Sequence, residues 1–247
     1  MNEKLATQSI QASFDAVAGL YERFAEITEG SYTVWLKEIL GTGGRNAVDL
    51  GCGSGQFTGM LADRYEQVLG VDISVAQLEI ALRKNKHGNI TYSHRDILEV
   101  TPERDGHFDL VLSVTALHHV PDVYTALQRV RDLVTEGGTV VVIDVVTHTP
   151  FWATGSGFGF RIWRQGRAAY GAVQAFRKGY GLSDALLMTR LRRHPSWLAL
   201  AEHARPLTRP EFHHIYGEVF PGARFVDDLD ASVCAMFWSP LWSTPAS

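Results

Sequence analysis

Residues 46–55, with the sequence NAVDLGCGSG, decide the fold of this chain. The apolar residues at the start predict a short buried strand, the three glycines predict a tight turn with exposed N–H groups, and residues 56–64 continue as a helix. A second apolar run, VLGVD, ends at Asp72 about twenty residues later. A strand, a glycine turn and a helix form half of a nucleoside pocket, and a carboxylate at Asp72 can accept hydrogen bonds from both ribose hydroxyls. We therefore expect a nucleoside-containing ligand.

The spacing of the glycines narrows the choice of ligand. The dinucleotide fingerprint is G-x-G-x-x-G, whereas here the third glycine comes one residue early and Asp49 precedes the turn. A pyrophosphate is disfavoured beside that carboxylate, but a ligand with ammonium and sulfonium groups would be attracted by it. A P-loop is excluded, because no Gly-Lys-Ser or Gly-Lys-Thr follows the turn.

These residues resemble the class I S-adenosylmethionine-dependent methyltransferases, whose first motif looks like VDLGCGSG and whose second is an acid at the end of the next strand. The resemblance implies S-adenosyl-L-methionine as cofactor, with Asp96 at the adenine amino group and Ile97 at the ring edge. Read from the residues alone, Asp96 is also compatible with a loop acid that caps its own turn. The cofactor contacts that the resemblance implies are Asp49, Gly51, Gly53, Gly55, Asp72, Ile73, Asp96, Ile97 and Val114.

Composition indicates a soluble globular protein without an obvious nucleic-acid or membrane partner. The 247 residues are 45% hydrophobic and 20% charged, and the net charge is −4, so no strong positive field attracts nucleic acid or anionic lipid. The two cysteines are far apart in sequence, which favours a reducing compartment. Neither an apolar leader region nor a run of eighteen apolar residues is visible. We expect a cytoplasmic protein; the sequence does not indicate its oligomeric state.

Strands and helices alternate regularly after the glycine turn. Strands are predicted at 67–72, 90–94, 108–114 and 138–146, and Ser74 and Asp122 are predicted helix caps. Val75, Leu78 and Leu82 are expected on the buried face of the helix after Ser74. Such alternation predicts right-handed crossovers and a parallel sheet. The resemblance adds a closing pair of strands at 223–226 and 232–238, which implies an α/β, Rossmann-like, doubly wound, mostly parallel seven-stranded sheet with one antiparallel strand.

Two segments stand outside this alternation, within what we expect to be a single domain over residues 1–247. Residues 1–40 predict two amphipathic helices, with a break at Gly30. Tyr21 and Tyr32 on them are candidate substrate contacts in an N-terminal lid, although aromatic residues on a helical stripe are commonly plain core.

The second segment, residues 148–205, is rich in glycine, aromatics and arginine and predicts a helical cap insertion. Its arginines, Arg161 among them, and His148 are candidate contacts for an anionic or carrier-tethered small-molecule substrate, and the alternative is a solvated basic face. A membrane-surface helix is disfavoured, because the basic residues do not fall on one helical face.

His118 and His119 are the candidate catalytic residues. Methyl transfer needs a general base only where the nucleophile keeps its proton near neutral pH. Both histidines follow the fourth strand in the sequence LHHVPD, where one of them is expected to pack on the next helix. No metal site is predicted, because no H-E-x-x-H or paired-cysteine spacing is present.

The sequence thus predicts an S-adenosylmethionine-dependent methyltransferase, EC class 2.1.1, that acts on an oxygen, nitrogen or carbon nucleophile of a small molecule in specialised metabolism. Two alternatives stay open. The bound cofactor could react with itself, giving a cyclic amino acid and methylthioadenosine, or transfer a different group. The pocket could also belong to a non-catalytic sensing module.

Overall fold

The structure is a computed structural model that describes residues 3–147 and 181–242. The strands are β1 (Gly44–Leu50), β2 (Tyr65–Asp72), β3 (Ile90–His94), β4 (Phe108–Val114), β5 (Val134–Thr147), β6 (Leu207–Thr208), β7 (Arg224–Val226) and β8 (Val233–Trp238). The helices are α1 (Glu3–Thr28), α2 (Gly30–Ile39), α3 (Gln56–Ala62), α4 (Val75–Lys84), α5 (Pro102–Asp105), α6 (Val123–Asp132), α7 (Leu182–Arg193), α8 (Pro195–His203) and α9 (Arg209–Val219). Short 3-10 turns cover Ile97–Glu99, Leu117–His119 and Pro240–Trp242.

The sheet has the order β3-β2-β1-β4-β5-β8-β7, and the two-residue β6 pairs with β5 away from this path. β1 to β5 run parallel, and β8 is antiparallel to both of its neighbours. The doubly wound, mostly parallel sheet predicted from the sequence is therefore confirmed, with the short β6 in addition to the seven expected strands. Because the order reverses between β1 and β4, the carboxyl ends of these two strands mark the switch point at which ligands bind in such sheets.

The central strands are buried on both faces. Along β4, Leu110 and Leu112 belong to one apolar cluster, whereas Val111 between them belongs to the other. This alternation follows the two-residue period of a strand, and full burial explains why the segment reads as a continuous apolar run. One face carries α2 residues such as Leu36, and the other carries Phe212 of α9.

The described chain forms two compact units. Of the described residues, 31–147 and 204–242 form the unit that contains the sheet, and 3–30 and 181–203 form the other. In the second unit, Val17 of α1 packs with Leu191 and Leu200 of α7 and α8, and Arg23 donates to both carboxylate oxygens of Asp184 at 3.0 Å. The expectation of a single domain over residues 1–247 stays a prediction.

One detail of the predicted helix faces is wrong. Leu78 is buried as expected, but Val75 and Leu82 of α4 are 41% and 56% exposed. The buried residues of α4 are Gln77, Leu78, Ile80 and Ala81, so the inward face is centred nearer to the middle of this short helix.

Candidate active site

The glycine turn between β1 and α3 is held against the end of β2 by its backbone. The N–H groups of Gly51 and Cys52 both donate to the carbonyl oxygen of Val71, at 2.8 and 2.9 Å. Gly51, Gly53 and Gly55 have φ angles of 77°, 51° and 76°. These left-handed conformations are strained for residues with a Cβ, so the turn requires its glycines.

Two of the glycines are also required by close packing. A Cβ atom on Gly51 would lie 2.3 Å from the Cβ of Ala116, which follows β4. A Cβ on Gly55 would lie 2.5 Å from Nδ2 of Asn85 and 2.6 Å from the hydroxyl of Tyr92. The Asn85 amide donates to the carbonyl oxygen of Gly55 at 2.9 Å and to the Tyr92 hydroxyl at 2.8 Å. The turn is thus supported from beneath and brought against the end of β4.

Asp72 connects the glycine turn to the next helix. Its Oδ2 accepts from the N–H of Gly53 at 2.8 Å, and its Oδ1 accepts from the N–H of Ser74 at 2.8 Å. Ser74 caps α4 by accepting from the N–H of Gln77. Because each carboxylate oxygen can accept more than one hydrogen bond, the same group can hold the turn and also receive a ligand hydroxyl.

Asp49 is buried at the end of β1, where its Oδ2 accepts from the hydroxyl of Thr58 at 2.6 Å. Burial raises the pKa of Asp49 to about 7; the Thr58 hydrogen bond opposes the shift, and the charge of Asp72 adds to it. A carboxylate that is costly to ionise in the free protein provides negative charge where a cationic ligand can bind.

The remaining predicted cofactor residues lie at the carboxyl ends of the same strands. Ile73 follows β2, and its carbonyl oxygen contacts Nε2 of His94 at 3.0 Å. Val114 ends β4 and is buried. Asp96 caps the 3-10 turn that contains Ile97, accepting from the N–H of Leu98 at 2.9 Å. Asp96 therefore does cap its own turn, and its role at an adenine stays a prediction.

The segment after β4 combines backbone strain with a buried contact between a histidine and a carboxylate. Thr115 has a φ of 51°, which is uncommon outside glycine. Nδ1 of His118 lies 2.5 Å from Oδ1 of Asp144 on β5, and the two side chains are only 10% and 5% exposed. The ring of His119 packs on that of His118, with centroids 4.2 Å apart. The two histidines are thus adjacent, and His118 carries the direct contact with a carboxylate.

The predicted substrate contacts have different environments. Tyr32 is 4% exposed within the apolar cluster of Leu36 and Leu40. Tyr21 packs against Trp197 with ring centroids 5.8 Å apart. These surroundings match the plain core interpretation, and a ligand role for either tyrosine stays a prediction. His148 and Arg161 lie outside the described residues.

Three residues of this site escaped the sequence analysis. Thr58 is an unremarkable helical threonine in the sequence, and its contact with Asp49 needs the fold. Gln77 is 1% exposed, and neither polar atom of its amide has a hydrogen-bond partner within residues 3–147 and 181–242. Asp144 is an acid inside the apolar run VVVIDVV, and that isolated charge was a signal that could have identified it.

A cluster of metal-binding residue types lies elsewhere, on α9, directly after β7 and on β8. His213, Asp227 and Cys234 bring one potential ligand atom each to within 4.8 Å of one another. Nη1 of Arg209, however, lies 2.7 Å from Oδ1 of Asp227 and 3.5 Å from Sγ of Cys234. Burial, together with Asp227, raises the pKa of the Cys234 thiol to about 12. Arg209 thus already supplies a positive charge to Asp227, and the Cys234 thiol stays protonated, whereas a metal would bind its thiolate.

The doubly wound sheet and the glycine turn beside its switch point agree with the class I methyltransferases that the sequence resembles. Residues 48–142 match a family model described as a methyltransferase domain, so the resemblance seen in the sequence is confirmed. The model belongs to the type-11 group, and the matched segment runs from β1 into β5.

Individual relatives agree with this result over part of the chain. An uncharacterised methyltransferase of Mycobacterium tuberculosis is 38% identical over 116 residues, which are 47% of this chain and 58% of the relative. A ubiquinone biosynthesis O-methyltransferase of Pseudomonas aeruginosa is 32% identical over 113 residues, or 45% of this chain and 49% of the relative. The match thus spans only about half the length of these relatives.

Among solved structures, a complex of DhpI with SAH covers 94% of this chain and 95% of its own, with a TM-score of 0.61 and 17% identity. At that identity the likeness concerns the fold alone.

None of the helices in the described residues has the length and apolar character of a membrane span.

Proposed function

We propose that this protein is an S-adenosylmethionine-dependent methyltransferase that transfers a methyl group in line to an oxygen, nitrogen or carbon nucleophile of a small molecule. The observation that carries the proposal is the joint geometry of the glycine turn and Asp72. The Asp72 carboxylate holds Gly53 and Ser74 by their N–H groups at the carboxyl end of β2, the strand next to the switch point between β1 and β4. This is the arrangement that a ribose requires.

Three observations fit the cofactor to these residues. Gly51 approaches Ala116 so closely that a Cβ would overlap it, which keeps the turn narrow. Asp49 places negative charge behind the turn, and this charge suits the ammonium and sulfonium groups. The amide of Gln77 is buried one turn into α4 without a partner among the described residues, as expected for a polar group that meets a ligand or ordered water.

When bound, S-adenosylmethionine would supply an electrophilic methyl group. The chain itself would hold the cofactor through Asp72 and the turn, exclude water at the buried carboxyl ends of β1 and β4, and align the acceptor. The methyltransferase names of the relatives support this reading. Specialised metabolism, an anionic or carrier-tethered acceptor and a cytoplasmic location belong to the same proposal.

Calorimetric titration with S-adenosylmethionine and S-adenosylhomocysteine tests the cofactor assignment. We expect binding by the wild type and a loss of about 1–3 kcal/mol for Asp72→Ala, because ribose hydroxyls lose their acceptor. Asp132→Ala, at an exposed position on α6, is the matched control and should bind as the wild type does. Absence of binding by the folded wild type would overturn the proposal.

Turnover is tested separately, by incubation with a panel of small acceptors and detection of S-adenosylhomocysteine. A parallel incubation with the cofactor alone is examined for methylthioadenosine. Acceptor-dependent S-adenosylhomocysteine supports methyl transfer, whereas methylthioadenosine formed without acceptor points to self-cyclisation of the cofactor.

A further inference from the structure

The proposed function leaves open which nucleophile the site activates, and the contact between His118 and Asp144 bears on that question. Both residues lie at the carboxyl ends of neighbouring strands, since Val114 pairs with Ile143 in the β4–β5 register. Ala116, two residues before His118, is the residue that Gly51 approaches. The pair thus belongs to the same edge of the sheet as the glycine turn.

The contact defines which ring nitrogen of His118 carries a proton. Nδ1 lies 2.5 Å from the Asp144 carboxylate, and an ionised carboxylate only accepts hydrogen bonds, so Nδ1 must be the protonated nitrogen. Within the described residues, Nε2 makes no hydrogen bond. In the neutral ring Nε2 is then a proton acceptor on the side opposite Asp144.

A purely structural explanation fits this pair less well. The Asp144 side chain is 5% exposed within a run of valines and isoleucine, where a charge is costly unless it is paired. Its Oδ1 also accepts from the N–H of Val145 at 2.9 Å, a bond that a neutral asparagine could equally make. The nearby strain at Thr115 is a second local cost, and such costs concentrate at functional sites.

Of the described residues near the pair, Tyr216 and His119 do not compete with His118 for the role of base. Burial, followed by the charge of Asp144, raises the pKa of Tyr216 well above its ordinary value, so this phenol stays neutral. The ring of His119 packs on His118 and is not the one that contacts the carboxylate.

We propose that His118, oriented by Asp144, is the general base that removes a proton from a weakly acidic hydroxyl, of the phenol or enol class, on the methyl acceptor. The hydroxyl proton passes to Nε2, and the resulting imidazolium is stabilised by Asp144. The acceptor oxygen forms its new bond to the methyl carbon as the carbon–sulfur bond breaks, and the sulfur keeps that electron pair. A thiolate or carboxylate needs no such base, whereas a phenol with a pKa of about 10 does.

Asp144 is a positioning residue here, and its role is tested without any acceptor by long-range proton–nitrogen correlation spectra. The chain has ten histidines, so His118→Gln identifies the resonances of His118. We expect the Nδ1-protonated tautomer in the wild type. In Asp144→Asn the amide can donate to Nδ1, and the Nε2-protonated tautomer should appear. The same tautomer in both proteins, or Nε2 protonation in the wild type, would overturn the proposal.

The catalytic consequence is tested with two phenols of similar size, an ordinary one and one made acidic by a nitro group. Asp144→Asn should reduce kcat for the ordinary phenol by about 10²- to 10⁴-fold, and far less for the phenol that is already ionised. An equal loss on both substrates would indicate a structural role. A wild type that methylates thiols or amines but no hydroxyl would also contradict the proposal.

This inference rests on the proposed function, and the two fail in different ways. If the folded wild type does not bind S-adenosylmethionine, the proposed function fails, and the catalytic assignment fails with it. If Asp144→Asn binds the cofactor as the wild type does but leaves the tautomer unchanged, only the assignment of His118 and Asp144 fails.

Discussion

The buried Asp49 makes the stability of the folded protein depend on pH. Burial raises its pKa from 3.8 to about 7, so between these values the folded protein keeps a proton that the unfolded chain has released. A folded state that binds more protons loses stability as the pH rises. Asp49 therefore opposes folding increasingly from pH 4 to 7, and its unfavourable contribution is complete above pH 7.

Replacing Asp49 by asparagine should remove this dependence. At pH 8 we expect Asp49→Asn to have a free energy of unfolding higher than that of the wild type, on the order of a few kcal/mol. Near pH 4 the difference should be small, because the wild-type carboxyl is then neutral. Urea denaturation at a series of pH values measures both. The stability difference between Asp49→Asn and the wild type is compared at the two pH values. A difference that favours the variant less at pH 8 than at pH 4 would contradict this account.

Gly51 should tolerate alanine poorly for two independent reasons. Its φ of 77° is unfavourable for a residue with a Cβ, and the added atom would lie 2.3 Å from Ala116. We expect Gly51→Ala to cost about 1–3 kcal/mol of stability and to weaken cofactor binding. Gly88→Ala is the control, because its Cβ would have open space and its φ lies outside the left-handed region. Equal stability of the two variants by thermal unfolding would refute the expectation.

At the residue scale, sequence reasoning succeeded where a local rule fixes the role. Asp72 was identified by its spacing from the glycine turn, and the caps Ser74 and Asp122 by their residue types. Asp144 was missed, because its partner His118 becomes a neighbour only when β4 and β5 pair.

At the scale of the element, α9 begins with a capping box formed by Thr208 and Glu211. Oε2 of Glu211 accepts from the backbone N–H of Thr208 at 2.7 Å, and Oγ1 of Thr208 accepts from the N–H of Glu211 at 3.4 Å. This box starts the helix whose residues Phe212 and Tyr216 are fully buried against the sheet.

Thr208→Ala should therefore lower the free energy of unfolding by about 1 kcal/mol, since the first turn of α9 loses a cap. Thr208→Ser keeps the hydroxyl and should retain most of the stability. Chemical denaturation of the three proteins makes the comparison. A serine variant as unstable as the alanine variant would show that the methyl group, not the cap, is responsible.

Element types were predictable, whereas some boundaries and faces were not. β4 begins and ends where predicted, but β5 starts at Val134, ahead of the start predicted at residue 138. Pairing with Phe108 of β4 extends the strand through that stretch, and such a tertiary contact has no local signature.

At the scale of the whole molecule, cofactor binding should be visible as stability. At a concentration about 100 times its Kd, S-adenosylhomocysteine should add about 2.7 kcal/mol to the unfolding of the unit that contains the sheet. Amides of β1 and β4 that exchange through this unfolding should slow about 100-fold, as hydrogen exchange would measure. Asp72→Ala at the same ligand concentration should show less protection. Unchanged exchange in the wild type under saturating ligand would contradict the location of the site.

The fold of the sheet could be predicted, because its five parallel strands repeat the alternation of an apolar strand with a helix. The arrangement of the helical insertion could not be predicted. The α7 and α8 helices are present in the segment 181–203, as expected of a helical insertion. Their apolar residues pack against α1 as well as against each other. Neither sequence segment contains a pattern that predicts this contact.

The position of β5 has a consequence for the nascent chain. Ile143 of β5 pairs on one side with Val114, which has already been synthesised when β5 emerges. On the other side it pairs with Ala235, which is synthesised later. Closing a loop of about ninety residues is entropically slow, so β5 emerges from the ribosome with an apolar, unpaired edge. Until β8 arrives, that edge can recruit a strand from another molecule. Truncation before residue 233 should therefore yield aggregation during synthesis, rather than a smaller soluble sheet.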